Sequence, residues 1–390
     1  MTTQRRAFAL VAGAIALALV VAFFVFGAQS PAPSASPSVS PTASATRSAA
    51  ASSPTVSAAA SPTGEASARY GYVVIGGGGF AVISETGTTV HQSPCGAPGR
   101  PCDQAKIAVS PDGKRVAYWI AAQGAPWELR VFDVASPTSS RTVATLPASF
   151  LGLGLRWSTD SQGVLFAAET EGYGGIRGGA GRATLSAVDL TSAQPLAGDA
   201  MPVRTDGRFY VPVAWDRTKK LFAAVLSGEG GFAPEYAVAD ASGVREMKVP
   251  SGSSMIAGQI EASDDATRVL GIDIGANVVR IWPIADTTKS FDVGPGPGAR
   301  ISAAHWMPSS DRVAWSVGER LDIFIPQTES SRTVYSSSGG VQLVALRPDG
   351  TGAVILSTGG LLIVDVQSGA TTRGGFAVGQ VVIPRGVLLR

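Results

Sequence analysis

The chain has 390 residues, of which 45% are hydrophobic and 15% charged, so it can bury a sizeable core and general disorder is excluded. Its 31 basic and 29 acidic residues give a formal charge of +2, and the part beyond residue 68 carries 28 of each. That neutral body lacks the basic excess needed to neutralise phosphates, which excludes nucleic acid as the expected partner.

Arg5 and Arg6 precede an uncharged apolar run over residues 7–27. As a helix this run is about 31 Å long, which matches the ~30 Å hydrocarbon core and exceeds the ~7–15 apolar residues of a cleavable signal. It reads as a transmembrane signal-anchor, with residues 1–6 as a cytoplasmic stub and everything after residue 27 outside. Ala28-Gln29-Ser30 offers small residues at cleavage spacing, so secretion after cleavage is the alternative. Arg5-Arg6-Ala7-Phe8 resembles a twin-arginine core, but Gln4 stands where that signal carries Ser or Thr. Residues 28–68 are almost wholly Ser, Pro, Ala and Thr, with Arg47 and Glu65 their only charges. Such a segment builds no core and reads as a disordered stalk, either bare or O-glycosylated.

From residue 69 onward an apolar strand, a tight polar turn, a second strand and, after a variable loop, a third strand recur six times. The unit is clearest at Ile107-Ala108-Val109-Ser110-Pro111-Asp112-Gly113-Lys114-Arg115-Val116-Ala117-Tyr118-Trp119. Pro presets φ there, Asp bonds its own backbone, and Gly accepts positive φ. The residues before the six turns are Val109, Trp157, Trp215, Ala262, Trp306 and Leu346. Their spacing fits one four-stranded blade of about 40–50 residues per unit. Third strands are expected over 129–134, 183–190, 236–239, 278–284, 321–325 and 361–366, four of them with Asp near the end (Asp133, Asp189, Asp240, Asp365). No helical periodicity appears after the membrane segment, so the body is expected to be all-β.

Residues 70–75 and 80–87 look like the second and third strands of a unit without a first, and residues 378–386 look like a first strand and turn without a sequel. Joined, they make a closing blade that hides the edges of an open array. The expectation is a seven-bladed β-propeller over 69–390. Because Val387-Leu388-Leu389 also resembles a second strand, six blades with ragged ends is the alternative.

The stretch Ser110-Pro111-Asp112-Gly113-Lys114-Arg115-Val116-Ala117-Tyr118 resembles the WD40-like propeller repeats of the TolB family, and the resemblance spans about residues 70–390. It implies an interaction platform in the bacterial envelope, which agrees with the export segment. The family's own α/β domain before a six-bladed propeller has no counterpart here, so its partners are not carried over.

Cys95 and Cys102 flank six residues outside the membrane, where a disulfide is expected. Two thiols fall short of a zinc site, and neither a metal nor a cofactor is expected. His91 and His305 are the only histidines, Ser251-Gly252-Ser253-Ser254-Met255 is no nucleophile elbow, and Asn277 is the only asparagine. Gly76-Gly77-Gly78-Gly79 lies between two strands with no following helix and reads as a turn. Trp157, Trp215 and Trp306 share one repeat position and are assigned to the core.

What does not repeat is the set of loops joining second to third strands. They are long in the first three units and short in the last three, and loops of successive blades project from one face. The long loops gather Trp127, Glu169, Glu171, Tyr173, Arg177, Arg182, Glu229, Phe232 and Tyr236, a mixture of aromatics, Arg and carboxylates suited to recognition. The expected function is non-catalytic binding of an envelope protein or polymer by a monomeric, membrane-tethered propeller. The alternative is a propeller hydrolase or lyase acting on an envelope glycan, with Glu169 and Glu171 as the carboxyl pair.

Overall fold

The computed structural model describes residues 69–76, 78–170, 181–192, 197–228, 235–250, 255–295, 299–375 and 381–389. The apolar run at 7–27 and the stalk at 28–68 lie outside these residues. The described chain holds no α-helix, only strands and three single turns of 3-10 helix.

Alternating apolar residues form seven antiparallel sheets arranged as propeller blades. From the inner strand outward, blade 1 is Ile107–Val109, Arg115–Ile120, Trp127–Asp133 and Arg141–Leu146, and blade 2 is Phe150–Trp157, Gly163–Thr170, Ala183–Asp189 and Ala197–Arg204. Blade 3 is Phe209–Asp216, Leu221–Ser227, Glu235–Asp240 and Gly243–Lys248, and blade 4 is Glu261–Ala262, Arg268–Asp273, Val278–Pro283 and Phe291–Val293. Blade 5 is Ile301–Trp306, Val313–Val317, Arg320–Ile325 and Ser330–Ser336, and blade 6 is Val341–Leu346, Gly352–Ser357, Gly360–Asp365 and Thr371–Arg373.

Blade 7 closes the ring. Tyr70–Gly76 pairs outward with Gly79–Ser84 and then Thr89–Pro94. Its inner edge takes two short C-terminal strands in line: Val381–Val382 opposite Ile75 and Val74, then Val387–Leu388 opposite Gly71 and Tyr70. Residues 387–388 are therefore not a rival second strand but the continuation of the split inner one. The break falls at Pro384, which has no N–H to donate. There the chain steps toward blade 6, where Leu346 N donates to Pro384 O at 2.7 Å and Gly386 N to Leu346 O at 2.8 Å.

Seven hydrophobic clusters lie among the described residues, and each is shared by two neighbouring blades. The cluster between blades 7 and 1 joins Val73, Phe80 and Val82 to Val116, Tyr118 and Phe132. The repeating tryptophans belong to this packing: Trp157, Trp215 and Trp306 are buried. The indole N–H groups of Trp157 and Trp306 each donate to a carbonyl of the preceding blade, Ala108 O at 3.0 Å and Glu261 O at 3.1 Å. Trp215 lies against Gly163 of blade 2 so closely that a Cβ on that glycine would sit 2.2 Å from the indole ring.

The Cys95–Cys102 disulfide forms as expected, with a Cα–Cα distance of 5.2 Å. It clasps the small hairpin of Gly96–Ala97 and Arg100–Pro101, and Gly96 pairs in parallel with Ile120 of blade 1. Both cysteines are buried in the cluster between blades 7 and 1. Closing so short a loop is worth about 2.5 kcal/mol in the chain-entropy model. Replacing both cysteines by serine should lower the unfolding free energy by about that amount, with no change in blade count, as read by denaturant titration.

Candidate binding face

Antiparallel succession places two kinds of connection on two faces. Turns from first to second strand and from third to fourth lie on one face, while second-to-third loops and the links between blades lie on the other. The two faces differ in what their connections are built from.

On the turn face the repeat supplies its own partners. Ser110 Oγ donates to Asp112 Oδ1 at 2.6 Å and accepts from Arg115 N at 2.9 Å, while Asp112 Oδ1 also accepts from Lys114 N at 3.1 Å. Ser158 with Asp160 and Ser263 with Asp265 repeat the pattern. The Asp residues ending third strands cap the next turn: Asp189 accepts from Thr191 N at 2.8 Å, and Asp365 from Ser368 N at 2.7 Å. Arginines then tie blade to blade. Arg115 reaches Ser161 O of blade 2 at 2.9 Å, Arg217 of blade 3 pairs with Asp160 and Asp189 of blade 2, and Arg347 of blade 6 holds Glu85 of blade 7 through two bonds of 2.7 and 2.8 Å.

At this end the channel is bridged from side to side. Arg385 of the closing blade donates to both carboxylate oxygens of Asp264 at 3.0 and 2.5 Å, and to Pro111 O of blade 1 at 3.1 Å. Blades 7 and 4 are not neighbours, so this pair spans the channel. Arg156 of blade 2 crosses likewise to Ile260 O at 3.5 Å. His305 Nδ1 lies 2.8 Å from Glu261 Oε2. Burial pushes the Glu261 carboxyl up, but its bond to His305 and the charges of His305, Arg156 and Arg385 outweigh it and hold it below its usual range. Burial lowers Arg156, against the opposing pull of Glu261. Arg385→Met should cost about 2 kcal/mol, the range for a charged hydrogen-bonded pair, and Asp264→Asn in the same chain should restore part of it in a double-mutant cycle read by thermal unfolding.

The opposite face carries the unequal loops, and here the sequence-derived set divides. Glu171, Tyr173, Arg177, Glu229 and Phe232 lie outside the described residues. Trp127 and Tyr236 do not belong on a recognition surface. They are 4% and 0% exposed and pack between blades, Trp127 with Trp157 and Phe166, and Tyr236 edge-on to Trp282 at 6.2 Å. Both stand at the start of a third strand, where the inward position of the sheet takes the side chain. Arg182 is exposed, with its guanidinium 5.3 Å from the Phe150 ring centroid and its backbone paired to Thr170.

Glu169 is the distinctive member. It stands near the end of the second strand of blade 2, opposite Leu151 and Ala183. Its Oε2 is buried and has no hydrogen-bond partner among the described residues. Burial raises its carboxyl to about 7. A group of this kind can hold or release a proton near neutrality, or wait for a donor that a ligand brings. No group of three or more His, Cys, Asp or Glu among the described residues is placed to hold a metal ion. Asn277 serves the backbone instead, since it adopts φ +55°, donates to Ala299 O at 2.8 Å and accepts from Ile301 N at 3.1 Å.

Two polar clusters on this face have no motif to announce them. Between the outer strands of blades 2 and 3, Asp206 lies between Arg204 and Arg208, and Glu246 pairs with Arg204. The bond from Arg204, aided by Arg208, holds the Asp206 carboxyl far below its usual range. Between blades 5 and 6, Arg300 and Gln342 stand at the ends of inner strands beside the short loops. Only the tertiary neighbourhood singles out these residues.

No protein-family model matches the chain, and no curated protein matches it. Solved structures do. A prolyl endopeptidase structure aligns at 16% identity and a TM-score of 0.50 over 80% of this chain, which spans half of that protein's length. A functionally unknown protein from Desulfotomaculum acetoxidans aligns at 13% identity and 0.50, covering 82% of this chain and 98% of that one. The oligogalacturonate lyase of Vibrio parahaemolyticus aligns at 11% and 0.49, over 74% and 83%. At these identities the likeness is one of fold. The protein is a seven-bladed β-propeller.

The raised carboxyl has a measurable sign. Glu169 binds its proton more tightly folded than unfolded, so its share of stability is full below the ordinary carboxylate range and is lost as pH rises through about 7. Glu169→Gln should raise the thermal midpoint at pH about 8 and change it little at pH about 4, as read by scanning calorimetry.

Proposed function

We propose that this protein is a TolB-like, membrane-tethered propeller that binds an envelope protein or polymer through its loop face and catalyses no reaction. The observation that carries the reading is the contrast between the faces. On the turn face, most serine, aspartate and arginine side chains are engaged within the repeat or across the ring, Arg268 Nη1 being a buried exception. On the loop face, Glu169 Oε2 is buried without a partner among the described residues. Polar groups left unmatched in a folded surface are those a partner can match. The three segments that the sequence marks as long loops, 121–127, 169–182 and 227–235, are unequal insertions on an otherwise regular scaffold, where recognition is commonly placed. The apolar run at 7–27 and the stalk fit a body held outside the cytoplasm.

The glycan hydrolase or lyase is the competing reading, because Glu169 has a proton affinity suited to general acid–base work. The two readings separate in one experiment. In-cell crosslinking with mass spectrometry should capture a defined envelope partner on the wild-type chain and on a turn-face variant such as Lys219→Glu. The same partner should be lost when the three loops are replaced by short glycine turns. Equal capture by the trimmed chain, or glycan turnover abolished by Glu169→Gln, would overturn the proposal.

A further inference from the structure

Between blades 5 and 6 the loop face holds an open groove of about 540 Å3. It exists because the second-to-third connections shrink there to Gly318-Glu319 and Thr358-Gly359, leaving the ends of two inner strands uncovered. Gly318 and Gly340 adopt φ of +55° and +89°, and a Cβ built on Gly340 would meet nothing nearer than Gly318 O at 3.9 Å. Of the two connections, Thr358 turns its side chain into the lining while Glu319 does not.

The lining is chemically one-sided. Among the described residues Arg300 is its only ionisable one, and Gln342, Ser302, Ser357 and Thr358 add a carboxamide and three hydroxyls. Ser302 Oγ is shared with Ser316 Oγ at 2.7 Å. The Arg300 guanidinium, the Gln342 amide and the Thr358 hydroxyl make no hydrogen bond or ion pair among the described residues. Glu319 follows Gly318 in sequence but does not line the groove. This differs from the turn face, where Arg115, Arg217, Arg347 and Arg385 each have acidic partners. An arginine fork without a carboxylate, flanked by amide and hydroxyl groups and close glycine backbone, matches a carboxylate or phosphate with hydroxyls beside it.

We infer that the blade 5–6 groove binds an anionic group, a carboxylate or a phosphate, with Arg300 as its charge partner and Gln342 and Thr358 as hydrogen-bonding neighbours. The inference rests on the binding reading above and deepens it by giving the ligand a charge and a location on the ring.

The test is isothermal titration of the full-length protein in detergent with glucuronate, inorganic phosphate and, as neutral control, glucose. Wild type is compared with Arg300→Gln, Arg300→Lys and Gln342→Ala. Heat from glucuronate, weakened at least about tenfold by Arg300→Gln, less by Arg300→Lys and absent with glucose, supports a carboxylate-bearing ligand. The same dependence with phosphate alone supports a phosphate-bearing one. Silence with both anions, or binding indifferent to Arg300→Gln, overturns the inference. Unchanged thermal midpoints in the variants show that the exposed substitutions leave the fold intact. If both anions fail while the loop-dependent crosslink persists, the groove assignment is wrong and the loop-face reading stands; loss of both removes the two together.

Discussion

Ring closure is the constraint on which everything else rests. A radial array of sheets buries its apolar faces only when each blade has a neighbour on both sides, and an open array would leave the inner edge of Tyr70–Gly76 unpaired. The C-terminal segment supplies that edge in two pieces, with Pro384 at the break. Arg385, one residue further, reaches across to Asp264. The same few residues also bond to blade 6 through Leu346 and to blade 1 through Gly113. One short segment thus joins three adjacent blades and braces a fourth on the far side of the channel.

That brace gives the ring its polarity. Where the turns lie, short Ser-x-Asp units recruit backbone N–H groups, and arginines bridge consecutive blades, so little hydrogen-bonding capacity is left for a visitor. The cross-channel pairs add to this at the same end. On the other face the connections are free to vary because they do not carry the register of the sheets. Variation there has produced loops of very different length, a raised Glu169 unmatched among the described residues on one arc, and an Arg300 uncommitted among them on another. The fold keeps its rigid scaffold and its adjustable chemistry on separate surfaces.

Much of the scaffold was legible from residue order. The Pro-Asp-Gly and Ser-x-Asp turns mark the first hairpin of blades 1, 2, 4 and 6, and a tryptophan before the turn marks the interface with the previous blade in blades 2, 3 and 5. The outermost strands were less visible: Gly243–Lys248 and Ser330–Ser336 are mostly exposed, so burial imposes no alternation on them. The recognition set fared unevenly for a related reason. An aromatic at the end of a loop and an aromatic at the start of a strand look alike in sequence, and only the pleat decided that Trp127 and Tyr236 turn inward. Glu169 could be picked out by its place beside a long loop, but not the burial that raises its carboxyl.

Strand period, turn chemistry, the disulfide and the sharing of a blade between the two ends all follow from residue order, because each depends on neighbours along the chain or on a repeat that can be counted. Which charged groups are spent and which are free follows only from the folded ring. Arg385 and Arg300 are equally plain as letters, yet one is held by Asp264 from the opposite side of the ring and the other faces a groove with no acid among the described residues of its lining. Pairing across the channel depends on the distance between residues 121 positions apart in the chain, and no local pattern carries that information.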